Sequence, residues 1–130
     1  MKPDWIIHNV IDKPLSFHTH GLDKYESLEI EIVLPLYPED GCAFCNCIGA
    51  AIAKGLRIED GLRVDSLFTD EIGCWQPIYF FKTKPIHGEK EVYRAIFPDP
   101  NGLFPWEVKG TLSCAAVYKD QITFTEDKSN

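Results

Sequence analysis

The run Leu28-Glu-Ile-Glu-Ile-Val-Leu34 alternates so strictly that it constrains the fold more than any other stretch of the chain. With a period of two, Leu28, Ile30, Ile32 and Leu34 share one face and Glu29 and Glu31 take the other, the pattern of a half-buried β-strand. Pro35 and Pro38 end it, and the period then changes. Asp40 reads as the N-cap of a helix from Cys42 to Lys54, with Gly55 placed as the left-handed residue that closes it. Phe44, Ile48 and Ile52 recur at i, i+4 and i+8 and form one apolar stripe. Gly49 costs this helix about 1 kcal/mol relative to alanine. With Ala50, Ala51 and Ala53 it keeps the helix thin enough to lie close against a sheet.

Most of the remaining chain has strand character. Residues 5–11 are rich in β-branched side chains, 15–20 form a short strand stopped by Gly21, and 62–68 alternate weakly. Residues 77–83 and 92–97 are runs of aromatic and β-branched residues. The stretch Ala95-Ile-Phe-Pro-Asp-Pro-Asn-Gly-Leu-Phe-Pro-Trp106 excludes a helix and is too apolar for a flexible linker. Asp99-Pro-Asn-Gly102 matches a type I turn, which predicts a hairpin of 92–97 with an edge strand 103–108. A last hairpin is expected from 112–118 and 122–124, with residues 126–130 fraying. The sum is α+β: a single domain over 1–125, with a mostly antiparallel sheet of about six or seven strands and one principal helix at about 41–54.

A chain of 130 residues, 45% hydrophobic and 25% charged, has the composition of one ordinary globular domain. The net charge of −7 disfavours a nucleic-acid partner, since phosphate contact needs clustered Lys and Arg. It suits a basic protein partner, and equally a protein that stays in solution by self-repulsion. No apolar run approaches the roughly 20 residues of a membrane span, and no signal peptide opens the chain. Five cysteines, three of them crowded at 42, 45 and 47, fit free thiols in a reducing compartment better than a disulfide framework. A cytoplasmic protein is therefore expected, with a homo-oligomer compatible with the sequence.

Candidate chemistry is scattered. On a strand, His18 and His20 lie on one face about 7 Å apart, a spacing that suits two ligands to a metal or two donors to an anion. No Asp or Glu reinforces them at a metal-ligand offset, so no metal is expected. Cys42, Cys45 and Cys47 lack a second downstream pair, which favours core packing over zinc. No Gly-x-Ser-x-Gly elbow or phosphate-cradling loop is present, and a His–Asp99 pairing with Cys42 or Ser113 would depend entirely on the fold. Arg57 and Arg63 flank the Glu59-Asp-Gly61 turn, placed to grip an anion or to form surface salt bridges. Trp106, with Phe97 and Phe104, suits packing more readily than a ligand platform.

Four short patterns resemble those of a bacterial domain-of-unknown-function family, number 4262. Phe17-His-Thr-His-Gly-Leu22 resembles its F-x-Y-T-x-G-L, off by one position, with His18 and Thr19 standing at Y and T. Ser27-Leu-Glu-Ile30 echoes its H-P-E-L, where Glu29 matches, and Gly55-Leu-Arg-Ile-Glu-Asp-Gly61 resembles G-x-x-F-x-x-G. Phe97-Pro-Asp-Pro-Asn-Gly-Leu-Phe-Pro-Trp106 resembles W-P-D-x-x-G-x-F-P-W, with Phe in place of the first Trp. The resemblance implies a fold and a bacterial or phage-like origin, and no activity.

The function expected is that of a small acidic binding module. Its ligand would be a polar small molecule or a partner's loop, held near 17–21 and 99–106. The candidate ligand-binding residues are His18, His20, Glu29, Arg57, Asp99 and Trp106, with no cofactor. Two alternatives stand beside it: a small hydrolase or transferase with His18 or His20 as general base, and an immunity- or antitoxin-like partner of a basic protein.

Overall fold

The structure, a computed structural model, describes residues 4–11, 15–69, 73, 75–99, 102–107 and 121–122. The hairpin strand expected at 112–118, the tail at 126–130, and Cys74, Ser113 and Cys114 lie outside the described residues.

Among the described residues six strands form one sheet: β1 (Ile6–Val10), β2 (Ser16–His20), β3 (Glu29–Ile32), β4 (Leu62–Thr69), β5 (Trp75–Thr83) and β6 (Val92–Ile96). Their spatial order is β1-β2-β3-β6-β5-β4. Every neighbouring pair is antiparallel except β3–β6, which runs parallel from Glu29↔Val92 to Ile32↔Ala95. A short 3-10 turn, Leu22–Tyr25, joins β2 to β3, and one long helix, α1 (Pro38–Ala53), follows β3. This is the α+β arrangement expected, and its alternation places Ile30 and Ile32 in the core.

The helix begins earlier than Asp40. Tyr37 is the N-cap, Pro38 occupies the first turn, and Glu39 and Asp40 follow it there. Proline suits that position because its φ is already helical and its missing N–H has no partner to lose. The acids that follow complement the positive end of the helix. At the other end the expectation for Gly55 holds, with φ at +120°. The Leu56 N–H donates to the Ala51 carbonyl at 2.9 Å and the Gly55 N–H to that of Ile52 at 3.0 Å, which closes the helix with a Schellman motif.

Gly41, Cys45, Ile48, Gly49 and Ile52 form the buried face of α1, while Phe44 lies at its margin against Phe68 and Phe97. The two glycines set how near the helix lies. A Cβ at Gly41 would run into the Phe17 ring, and one at Gly49 would come 2.7 Å from the Trp5 indole. Trp5 is held in turn by its indole N–H, which donates to Asn46 Oδ1 at 3.0 Å. Phe17, Ile30, Ile32, Ile78, Phe80 and Ala95 from four strands complete the core beneath the helix.

The expected hairpin of 92–97 with 103–108 does not form. β6 is an inner strand with β3 on one edge and β5 on the other, so neither edge is open to a further strand. Gly102 is instead a bend, 103–104 are irregular and 105–107 form a turn. Gln121 and Ile122 have helical backbone, so the strand expected from Ile122 does not start there.

Candidate functional site

Each candidate side chain sits in a different kind of environment, and the sheet order decides which. His18 and His20 do share a face of β2, and β1 brings a third imidazole to them. His8 lies directly opposite His18 in the register. Its ring stacks on that of His18 at 4.8 Å and meets that of His20 edge-on at 6.1 Å. Stacked rings do not aim their nitrogens at a common point, and no group of three His, Cys, Asp or Glu among the described residues is placed to hold a metal ion. Burial and the neighbouring His8 hold the His18 pKa below the ordinary imidazole value, although Glu31 and Glu29 pull the other way. His8 escaped the sequence reading because its partner lies ten positions along, on the next strand.

Glu29 is committed to the backbone around it. Its carboxylate accepts the Thr19 hydroxyl at 2.8 Å and the Gly21 and Leu22 N–H groups at 3.2 and 3.1 Å. The Thr19 oxygen accepts in turn from the Ile30 N–H at 2.9 Å. Gly21 has φ +121° and passes 3.2 Å from Trp5, measured from where its Cβ would stand. This small network explains why a Gly-Leu pair and a glutamate belong together here: the acid satisfies the turn that the glycine makes.

Across the same strand the structure holds a pair that the sequence did not single out. Glu31 and Arg94 face each other between β3 and β6 and are almost fully buried. Arg94 Nη2 lies 2.7 Å from Glu31 Oε1, and its Nε donates to the same oxygen at 2.9 Å. The Ile86 N–H donates to Glu31 Oε2 at 3.0 Å, and the Lys84 and Gln121 carbonyls accept from the guanidinium at 3.2 and 3.4 Å. A buried charge pair tolerates its desolvation when its remaining groups are bonded in this way.

Asp99 works as a turn cap. Its Oδ1 accepts the Leu103 N–H at 2.9 Å, and its carbonyl accepts that of Gly102 at 2.8 Å. Trp106 stacks on Phe104 with ring centroids 5.0 Å apart, and both pack edge-on against Tyr79 of β5. That places Trp106 over β5, while His18 sits on β2, three strand steps away or about 14 Å by the interstrand spacing. Trp106 and His18 are therefore not brought together.

Arg57 and Arg63 part company. Arg63 is used at the surface, with its Nε 2.8 Å from Asp65 Oδ1 and its guanidinium 5.8 Å from the Tyr79 ring centre. Arg57 lines an open cleft of about 360 Å³ at the end of the sheet where β3 and β6 begin and β5 finishes. Lys82, Asp23 and Glu26 supply its other charges. Leu28, Leu56, Ile58 and Tyr93 supply its apolar surface. These residues come from the 3-10 turn, the loop after α1 and two strands, so no local motif announced them.

The three cysteines of α1 are free thiols. Cys45 is fully buried, and burial pushes its pKa up to about 12, which keeps it a neutral core residue. Cys47 packs its sulfur 3.5 Å from the Leu67 carbonyl. No helix among the described residues is long and apolar enough to cross a membrane. No protein-family model matches the chain, and no curated protein or solved structure matches it either.

Proposed function

We propose that the protein is a small binding module whose cleft at the end of the sheet holds a polar small molecule or the loop of a partner protein. The observation that carries this reading is the state of the cleft's charged groups. Arg57, Lys82, Asp23 and Glu26 all expose their heads to water around an apolar floor. A concave apolar surface with a few convergent polar groups is the usual form of a small-ligand site. Glu29 and Asp99, by contrast, spend their oxygens on the protein's own backbone. The overall charge of −7 adds a field that favours a basic partner over an acidic one. A cytoplasmic setting and kinship with the bacterial family of similar patterns belong to the same proposal.

The test is a melting-temperature screen of the purified protein against mixtures of polar metabolites, repeated on Arg57→Ala/Lys82→Ala. Any ligand that binds the folded state raises the melting temperature with its concentration. A shift in the parent protein that the double variant loses is the expected result. A shift that survives intact in the variant would move the site away from the cleft.

A further inference from the structure

The charges of the cleft are sorted by segment. Asp23 and Glu26 belong to the 3-10 turn that leads into β3 and are joined by the Glu26 N–H donating to the Asp23 carbonyl at 2.9 Å. Glu26 closes that turn with a left-handed φ of +61°, which fixes the direction in which the chain presents its acids. Lys82 stands on β5, and Arg57 on the loop after α1. Those two segments are tied by the Lys82 N–H donating to Asp60 Oδ1 at 2.9 Å. Between them runs β6, whose Tyr93 pairs with Ile30 on one side and Lys82 on the other. The acids therefore enter the cleft from the turn before β3 and Lys82 from β5, two strand spacings or about 10 Å away, with Arg57 on the loop that Asp60 ties to β5.

A purely anionic ligand would meet Asp23 and Glu26 as like charges, and a purely cationic one would meet Lys82 and Arg57 in the same way. Both charged flanks are satisfied by a ligand that carries one charge of each sign. From this sorting we infer that the cleft binds a zwitterion of the amino-acid or short-peptide class. Its carboxylate lies toward Arg57 and Lys82 and its ammonium toward Asp23 and Glu26. The inference rests on the cleft being the ligand site proposed above. A guanidinium takes a carboxylate in a two-pronged hydrogen bond, and an ammonium needs several acceptor oxygens, which two carboxylates supply. The existing ties are weak enough to yield. Lys82 Nζ stands 3.9 Å from an exposed Glu91, and Arg57 Nη1 reaches its neighbour's Leu56 carbonyl at 3.4 Å. Leu28, Leu56, Ile58 and the Tyr93 ring favour apolar side chains on the ligand.

The probes are L-leucyl-L-leucine, its N-acetyl form and its C-terminal amide, titrated against the isotopically labelled protein by NMR. The expected result is saturable shifts at Tyr93, Arg57 and Leu28 with the free dipeptide, and at least tenfold weaker binding of both blocked forms. Arg57→Gln is expected to weaken the free dipeptide and leave the amide unchanged. If the acetyl form or the amide binds as tightly as the free dipeptide, the zwitterion inference falls while the cleft remains a ligand site. If none of the three moves the cleft resonances but a metabolite from the melting screen does, the inference falls alone. If neither does, both fall.

Discussion

At the middle of the sheet Arg94 gives its guanidinium to Glu31 and to two backbone carbonyls and is fully buried. At the end of the sheet Arg57 touches its neighbour's carbonyl and stands in water. The residue type is the same, and the surroundings set the role. Where each guanidinium nitrogen has met an acceptor inside the protein, the charge holds strands in register and is shut away from any ligand. Where the charge is solvated and a concave surface surrounds it, the same group is available for recognition. Glu29 and Glu26 repeat the contrast three residues apart. The first is filled by Thr19, Gly21 and Leu22, while the Glu26 carboxylate has no side-chain partner among the described residues.

The comparison breaks if the buried pair proves dispensable. Arg94→Met leaves Glu31 charged and unpaired in the sheet, a loss of about 3–5 kcal/mol by urea unfolding. A change below about 1 kcal/mol would mean that Glu31 reaches water. Next in size is the helix contact. Gly41→Ala drives a methyl into the Phe17 ring, and overpacking of this kind costs about 1–3 kcal/mol in the same assay.

The histidine patch gives a smaller effect that depends on pH. The folded pKa of His18 lies below the ordinary 6.5, so the unfolded chain binds more protons in the window between the two values. Stability is therefore intact above that window, falls as the pH drops through 6.5, and levels off below the folded value. His18→Gln should flatten this part of a melting-temperature profile, and an unaltered slope would assign it to other groups. The smallest effect sharpens the contrast. Arg57→Ala and Lys82→Ala should each change stability by less than about 0.5 kcal/mol, as exposed substitutions do. A larger loss in either would show that the cleft's charges are also holding the fold.

Much of the architecture was legible in the residues. The alternation of 28–34 and the stripe Phe44–Ile48–Ile52 gave the strand, the helix and the face each turns to the core, because period alone reports them, but not that Glu31 on the strand's other face is buried too. The start of α1 was misjudged by three residues because Asp40 has the chemistry of a cap, while Pro38 had already committed the backbone. The hairpin after Phe97 was misjudged for a different reason. The Gly102 N–H does bond back to the Asp99 carbonyl, but such a bond says nothing about whether the strand before it has a free edge. The cleft was the least legible part. Of the candidate residues Arg57 reaches it, while His18, His20, Glu29, Asp99 and Trp106 serve a histidine stack, a backbone network, a turn and an aromatic cluster. Asp23, Glu26, Lys82 and Tyr93 share no spacing, and they meet because β6 inserts between β3 and β5.

That insertion also orders events in time. β3 and β6 are neighbours across 63 positions of chain, the separation of Glu31 and Arg94. Closing so long a loop is slow relative to forming the local β1–β2 and β4–β5 pairs. During synthesis Glu31 emerges long before the guanidinium that neutralises it, so until Arg94 arrives, burial of this face of β3 carries the cost of an unpaired carboxylate. Glu31 thus stands where a gatekeeper charge belongs, on a strand whose other face is isoleucine.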